Sequence, residues 1–299
     1  MMAARMRAFI AGVLVLGALV AWALSPRLGV AGAVAASAGL AVGLHALAVA
    51  IGFAIAARRC RGPDAPPAWG WLRALPGEAA LSMRNMYLDI PWRHRWPPRL
   101  PAGARGSVLL VHGYGCNRGI WRGLDTWLAR RGWAVDAPDL EPPHAGIDDF
   151  GAQVAAAAAR LAARTGHPAV VVVAHSMGGL AARAALCQSP QAPIAHLITL
   201  GTPHHGTWSA RYGRGECAPQ MLPASPWLRA LAGREQAGAA DRLTCIASLH
   251  DNVVAPARQA LVDGAPQLVR GGVGHMALLS DRAVRNYLDG RLQALHPRA

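Results

Sequence analysis

One stretch of the chain has the composition to do chemistry. Residues 169–174, AVVVVA, are wholly apolar and run directly into His175, Ser176, Met177 and Gly178, after which a helical pattern continues to Gln188. A buried strand that turns sharply into a helix lifts the residue at the turn above the carboxyl edge of a sheet. The spacing therefore predicts a nucleophile elbow with Ser176 at its tip. Strand and helix backbones pass close together two positions before and two after such a serine, and Ala174 and Gly178 are small enough for both places.

A serine hydroxyl is inert until a base takes its proton and a third group orients that base. Both partners are expected in loops at the ends of later strands, acid first and histidine second. Asp251, in SLHDNVV, directly follows one apolar run, and His275, in GGVGHMALL, follows the last run and precedes the final helix. The alternative acids are placed less well: Asp263 lies in the run-up to the last strand, and Asp241 precedes its strand and falls at the wrong edge. His250 sits inside a strand end, His204 and His205 come before the acid, and His175 reads as a supporting residue beside the serine. An oxyanion needs two N–H donors. The amide of Met177, at a helix N-terminus, is one, and that of Tyr114, in the loop VLLVHGYGCN at 108–117, is the other.

The elements that must position these groups alternate from Ser107 onward. Short apolar runs (SVLLVH, WAVDAPDL, AVVVVA, IAHLITL, LTCIASLH, PQLVRGGV) are separated by helical patterns over residues 120–131, 148–163 and 177–188, and a last helix covers 278–295. Continuous apolar strands separated by helices imply a mostly parallel sheet with helices on both faces, an α/β class. This domain is expected over 107–299, with an insertion over about 201–242 where the pattern breaks into Gly, Pro, Trp and Arg. Residues 62–106 read as linker and lead-in, with a short helix near 76–87. In PWRHRWPPR at 91–99, Trp and Arg interleave as they do in interfacial anchors, and an ordinary surface loop is the alternative.

The N-terminus is different in kind. FIAGVLVLGALVAWAL at 9–24 and the charge-free run 28–57 predict a transmembrane helical hairpin within residues 1–61, spanning about 9–25 and 28–57. Arginines 5, 7, 58, 59 and 61 flank its outer ends and only Arg27 lies between the runs, so the positive-inside rule puts both termini, and the large domain, in the cytoplasm. Cleavage of the first run as a signal peptide, with export of the domain, is the alternative. GLAVG at 39–43 has a helix-packing spacing, and His45 reads as a neutral packing residue. The net charge of +14 divides unevenly: residues 1–107 hold twelve arginines against three acids and the remainder nets only +5. The basic excess therefore belongs to the membrane end and no nucleic-acid partner is expected. Five widely spaced cysteines form neither a zinc pattern nor a disulfide framework.

Taken together, HGYG, AHSMGG, GTPHHGT at 201–207, DNVV and GVGHMAL resemble the α/β-hydrolase fold, and more narrowly bacterial triacylglycerol lipases and related esterases. NRGIW at 117–121 and LEPPHAGIDDF at 140–150 are similar to membrane-associated hydrolases of this group. The resemblance implies a hydrolase at the bacterial inner membrane that cleaves acyl esters through an acyl-enzyme. Ser176 would be its nucleophile, His275 its base, Asp251 the orienting acid, and Tyr114 and Met177 the oxyanion donors. No cofactor is expected, and without carboxylates clustered at ligand spacing no metal site is expected. The partners would be an acyl ester or lipid substrate and, through the N-terminal helices, membrane lipid. Acyltransferases and thioesterases share these motifs, and a binding protein without turnover is the third reading. His204 and His205 would shape the rim of the site, and MLPASPWLRALAG at 221–233 a lid or apolar acyl wall.

Overall fold

The computed structural model describes residues 1–62, 65–236 and 238–296. The last three positions of the expected 107–299 domain, Pro63 and Asp64 of the lead-in, and Ala237 of the insertion lie outside the described residues.

All six apolar runs form strands: β1 (Ser107–Val111), β2 (Ala134–Asp136), β3 (Val170–His175), β4 (Ile194–Leu200), β5 (Leu243–Ser248) and β6 (Gln267–Arg270). They pair in the order β2-β1-β3-β4-β5-β6, every pairing parallel. The pleat sends successive side chains to opposite faces, and the core divides accordingly. Leu109, Val111, Val170 and Val172 pack in one cluster with Phe150, Val154 and Leu180, whereas Val108, Leu110, Val171 and Val173 pack in another with Trp121, Leu128 and Leu288. Because both faces are covered, these strands read as unbroken valine and leucine rather than as an alternation.

The helices follow chain order. They are α1 (Met2–Arg59), α2 (Ala68–Arg84), α3 (Ile90–Trp92), α4 (Leu124–Ala129), α5 (Ile147–Thr165), α6 (Met177–Gln188), α7 (Cys217–Gln220), α8 (Pro226–Arg234) and α9 (Arg282–Leu295). α5 opens with Asp148 and Asp149 against the positive end of its dipole. The last helix starts at Arg282, later than the spacing suggests, after a separate turn over Met276–Leu279.

α1 is broken at Gly29, whose φ of 67° and ψ of 166° are not helical. Ser37 Oγ donates to the Gly17 carbonyl at 2.8 Å. Twenty residues of straight helix would hold these positions about 30 Å apart, so the chain doubles back as a hairpin. The reversal falls at Gly29, after the helix has continued through Pro26. Gly39 and Gly43 face open space, so the GLAVG spacing is not the packing seam; a Cβ at Gly17 would lie 3.0 Å from Ser37 Oγ, and that small-residue contact joins the two limbs instead. The outward residues of the hairpin are apolar, among them Phe9, Leu16, Leu19, Val30, Val34 and Ile51.

The lead-in is a structural element and not a linker. α2 begins at Ala68, runs through Pro76, and passes by a π-helical turn over Asn85–Asp89 into α3. Trp71 and Ala74 of α2 are buried with Phe53, Ala56 and Cys60 from the base of the hairpin and with Ala255 of the large domain. The Trp–Arg interleaving divides in two. Trp92 is exposed with the Arg7 guanidinium 5.5 Å from its ring centroid, whereas Trp96 is buried and stacks on Arg118.

Candidate active site

β1 and β3 are neighbours, and Val111 lies opposite Ala174 at their carboxyl ends. β2 leaves on the other side of β1, so strand order reverses here. Chain segments that exit adjacent strands at such a point diverge and leave a crevice between them. The HGYG loop leaves β1 and the AHSMGG turn leaves β3, which puts both against one opening.

Ser176 has φ 55° and ψ −130°, a left-handed conformation that costs of the order of 1–3 kcal/mol in a residue with a side chain. The surroundings enforce it: Ser176 N–H donates to the Leu200 carbonyl at 2.9 Å, and Gly179 N–H to the Ser176 carbonyl at 3.0 Å. A Cβ at Gly178 would stand 2.5 Å from the His112 carbonyl oxygen, so only glycine fits there. The N–H groups of Met177 and Tyr114 have no acceptor among the described residues. The loop that carries Tyr114 is braced from behind by His112. Its Nε2 accepts from Leu140 N–H at 2.9 Å, which leaves Nδ1–H to donate to the Gly113 carbonyl at 3.0 Å. Burial holds that ring neutral by lowering its pKa.

Asp251 and His275 meet. His275 Nδ1 donates to Asp251 Oδ2 at 2.8 Å, while Oδ1 of the same carboxylate accepts Val253 N–H at 2.8 Å and Val254 N–H at 2.7 Å. This bond leaves the Nε2 lone pair of His275 as the free base. Ser176 and His275 face one cavity of about 420 Å³ together with Gly113 and Tyr114. The hydrogen bond from Ser176 Oγ to Nε2 is not formed in this state; such bonds are commonly loose before substrate arrives and tighten in the complex. Burial opposes a charge on His275, but the Asp251 carboxylate, its hydrogen bond and then the Glu78 carboxylate outweigh it and raise the pKa above the ordinary imidazole value.

The neighbouring histidines are accounted for by packing. His175 Nε2 donates to the His275 carbonyl at 3.2 Å with its ring 4.5 Å from that of His275, and burial pushes its pKa well down. His204 is buried between Arg183 and Thr199, and His205 bonds to the Leu261 carbonyl, so neither forms the rim. His250 bonds to the Pro67 carbonyl and packs on Trp71. Asp263 and Asp241 are both exposed.

Residues 108–297 match the model of the alpha/beta hydrolase family. The chain belongs to that family. Triacylglycerol lipases of Pseudarthrobacter phenanthrenivorans and Burkholderia plantarii are each 32% identical to it over 114 residues, 36% of this chain and 35% and 32% of theirs. The chain thus matches about a third of the length of these relatives. The mature lipase BlEst2 of Bacillus licheniformis superposes with a TM-score of 0.56 at 18% identity, covering 67% of this chain and 96% of that one. Aspergillus fumigatus lipase B gives 0.52 at 19% identity over 67% and 60%. At those identities the likeness is one of fold.

Two features of this member of the alpha/beta hydrolase family do not follow from its sequence pattern. The first is Glu78. This α2 side chain is buried and accepts Met276 N–H at 3.0 Å and Ala277 N–H at 2.9 Å, immediately after the histidine. Burial raises its pKa above the usual carboxylate value, and the pull of the two amides and His275 offsets only part of that rise. The one sequence signal is its rarity, since only Asp64, Glu78 and Asp89 carry negative charge in the first 107 residues. The second is the position of α8. Leu228 and Leu231 are buried in the core cluster that includes α6, Trp227 Nε1 donates to Asp148, and Arg183 holds Glu235 through two bonds of 2.7 Å. Of MLPASPWLRALAG, only Met221 lines the cavity. The apolar face of α8 is thus turned to the core, and the segment meets the cavity through Met221.

Proposed function

We propose that this chain is a membrane-anchored serine hydrolase that cleaves acyl esters, as its triacylglycerol lipase relatives are named for doing. The observation that carries the reading is the 2.8 Å Asp251–His275 pair beside a serine held at positive φ on the same cavity. In this reading His275 Nε2 takes the Ser176 proton as Oγ attacks the ester carbonyl, and the charge that develops on oxygen is met by the amides of Met177 and Tyr114. His275 then protonates the departing alcohol. Water, activated by the same imidazole, adds to the acyl-serine, and its collapse frees the acid and restores Ser176. Asp251 keeps the proton of His275 on Nδ1, without which Nε2 has no lone pair to offer.

The anchor is the hairpin on either side of Gly29. Its arginines are concentrated at the domain end, with Arg27 alone at the tip, which supports a cytoplasmic catalytic domain at a bacterial inner membrane. A fluorophosphonate probe on the full-length protein tests the enzymatic reading. Covalent labelling is expected in wild type and not in Ser176→Ala; an unlabelled wild type, or a labelled variant, refutes it. A reporter fused after Arg61 that is active only outside the cytoplasm refutes the orientation.

A further inference from the structure

The cavity around Ser176 has a wall from outside the α/β domain. Val49, on the second limb of the hairpin, lines it, and so does Ser82 of α2, whose Oγ lies 2.8 Å from His45 Nε2. One turn past Val49, the backbone of Gly52 lies against the loop that carries the catalytic acid, with a Cβ position 3.6 Å from the Asn252 carbonyl oxygen. Asn252 Oδ1 in turn accepts His275 N–H at 3.1 Å. The base of the hairpin is therefore built into the acid–base side of the site.

The level at which this happens is set by helix geometry. Exposed large apolar side chains run from Phe9 to Ile51. Those two positions are each about twenty residues from the reversal at Gly29, about 30 Å of helix, which is the thickness of a bilayer's hydrocarbon core. Val49 therefore falls at the edge of that core, where the acyl chains of membrane lipids end and their ester groups begin. Beyond it the character changes. Arg58 and Arg59 are exposed, and the Arg59 guanidinium sits 5.3 Å from the centroid of Trp208, whose neighbour Tyr212 also lines the cavity. Along one helix the order is exposed apolar surface, cavity wall, basic rim.

We infer that the hairpin is one wall of the acyl site, and that the substrate is an acyl ester resident in the bilayer which reaches Ser176 along the second hairpin limb near Val49. The inference rests on the hydrolase reading above. An ester dissolved in water would have no use for a wall continuous with lipid-facing surface, whereas a lipid acyl chain can move from bilayer to cavity without crossing water. Apolar surface is then exchanged for apolar surface, and the cost of exposing a chain, about 0.8 kcal/mol per methylene, is avoided.

The test uses full-length protein in phosphatidylcholine–phosphatidylglycerol vesicles. An alkyl fluorophosphonate with a diazirine at the far end of its chain is attached to Ser176 and then photolysed. Adducts on residues 45–60 or on lipid are expected; adducts confined to 201–242 overturn the inference. Val49→Trp supplies a second measure. Turnover of vesicle-borne p-nitrophenyl palmitate should fall by about tenfold or more relative to turnover of soluble p-nitrophenyl acetate, and an unchanged ratio overturns the inference. If that variant does not fold, as shown by failure to react with a short fluorophosphonate, the photolysis result in wild type decides alone. A wild type that neither labels nor cleaves either ester instead removes the hydrolase reading, and this inference with it.

Discussion

The two sides of the site are made differently. On the nucleophile side, Ser176, Met177, Gly113 and Tyr114 come from the ends of two paired strands, and what holds them lies within the α/β domain: a parallel register, a glycine at 178, a buried His112. On the acid–base side, Asp251 and His275 sit on loops whose supports are far away in the chain. Glu78 reaches the Met276 amide across 198 residues, and Gly52 of the hairpin packs against Asn252. A site can thus be half self-contained and half dependent on a region that looks like an appendage. In the proposed mechanism the dependent half holds the groups that move the proton.

The contrast can be broken from either side. Ser176→Ala removes the proposed nucleophile and should lower kcat by about 10⁶-fold, with the fold unchanged by circular dichroism. Asp251→Asn should cost about 10⁴-fold in kcat, because an amide no longer keeps the imidazole proton on Nδ1; a variant with near wild-type turnover would move the acid elsewhere. Glu78→Gln is the sharper probe of remote support. Its carboxylate favours the imidazolium form of His275, whose neutral form is the base, so kcat/KM in wild type should rise with pH through a midpoint above the ordinary imidazole value. Without that charge the midpoint moves to lower pH, and the loss of one charge-assisted acceptor lowers kcat/KM by about tenfold. A profile that merely scales down with an unmoved midpoint would make Glu78 a brace and nothing more. At the small end, Asp263→Asn on the exposed surface should change kcat/KM by less than about twofold.

The nucleophile side is legible in the amino-acid order because its constraints are local. An apolar strand, a flanking pair of small residues and a helix start occupy ten consecutive positions, and backbone sterics leave them few conformations. The sheet is legible for a similar reason, since strands buried on both faces must be apolar throughout. The remote side is not. Pro76 and Gly77 interrupt the α2 pattern, so 62–106 reads as a linker, and nothing in periodicity tells a buried glutamate which amides it will meet. α8 misleads in the opposite direction: Trp227, Leu228 and Leu231 declare that the segment is buried, but not against which surface.

By itself the amino-acid order determined the α/β layering, the strained turn at Ser176, the candidacy of Asp251 and His275, and an apolar N-terminal pair of runs, because each depends on residues within about one element of one another. Tertiary structure alone decided that Glu78 and Asn252 hold the His275 loop, that α8 packs on the core, and that Val49 lines the cavity that Ser176 faces. Those contacts join elements whose separation along the chain carries no energetic signature until packing brings them together.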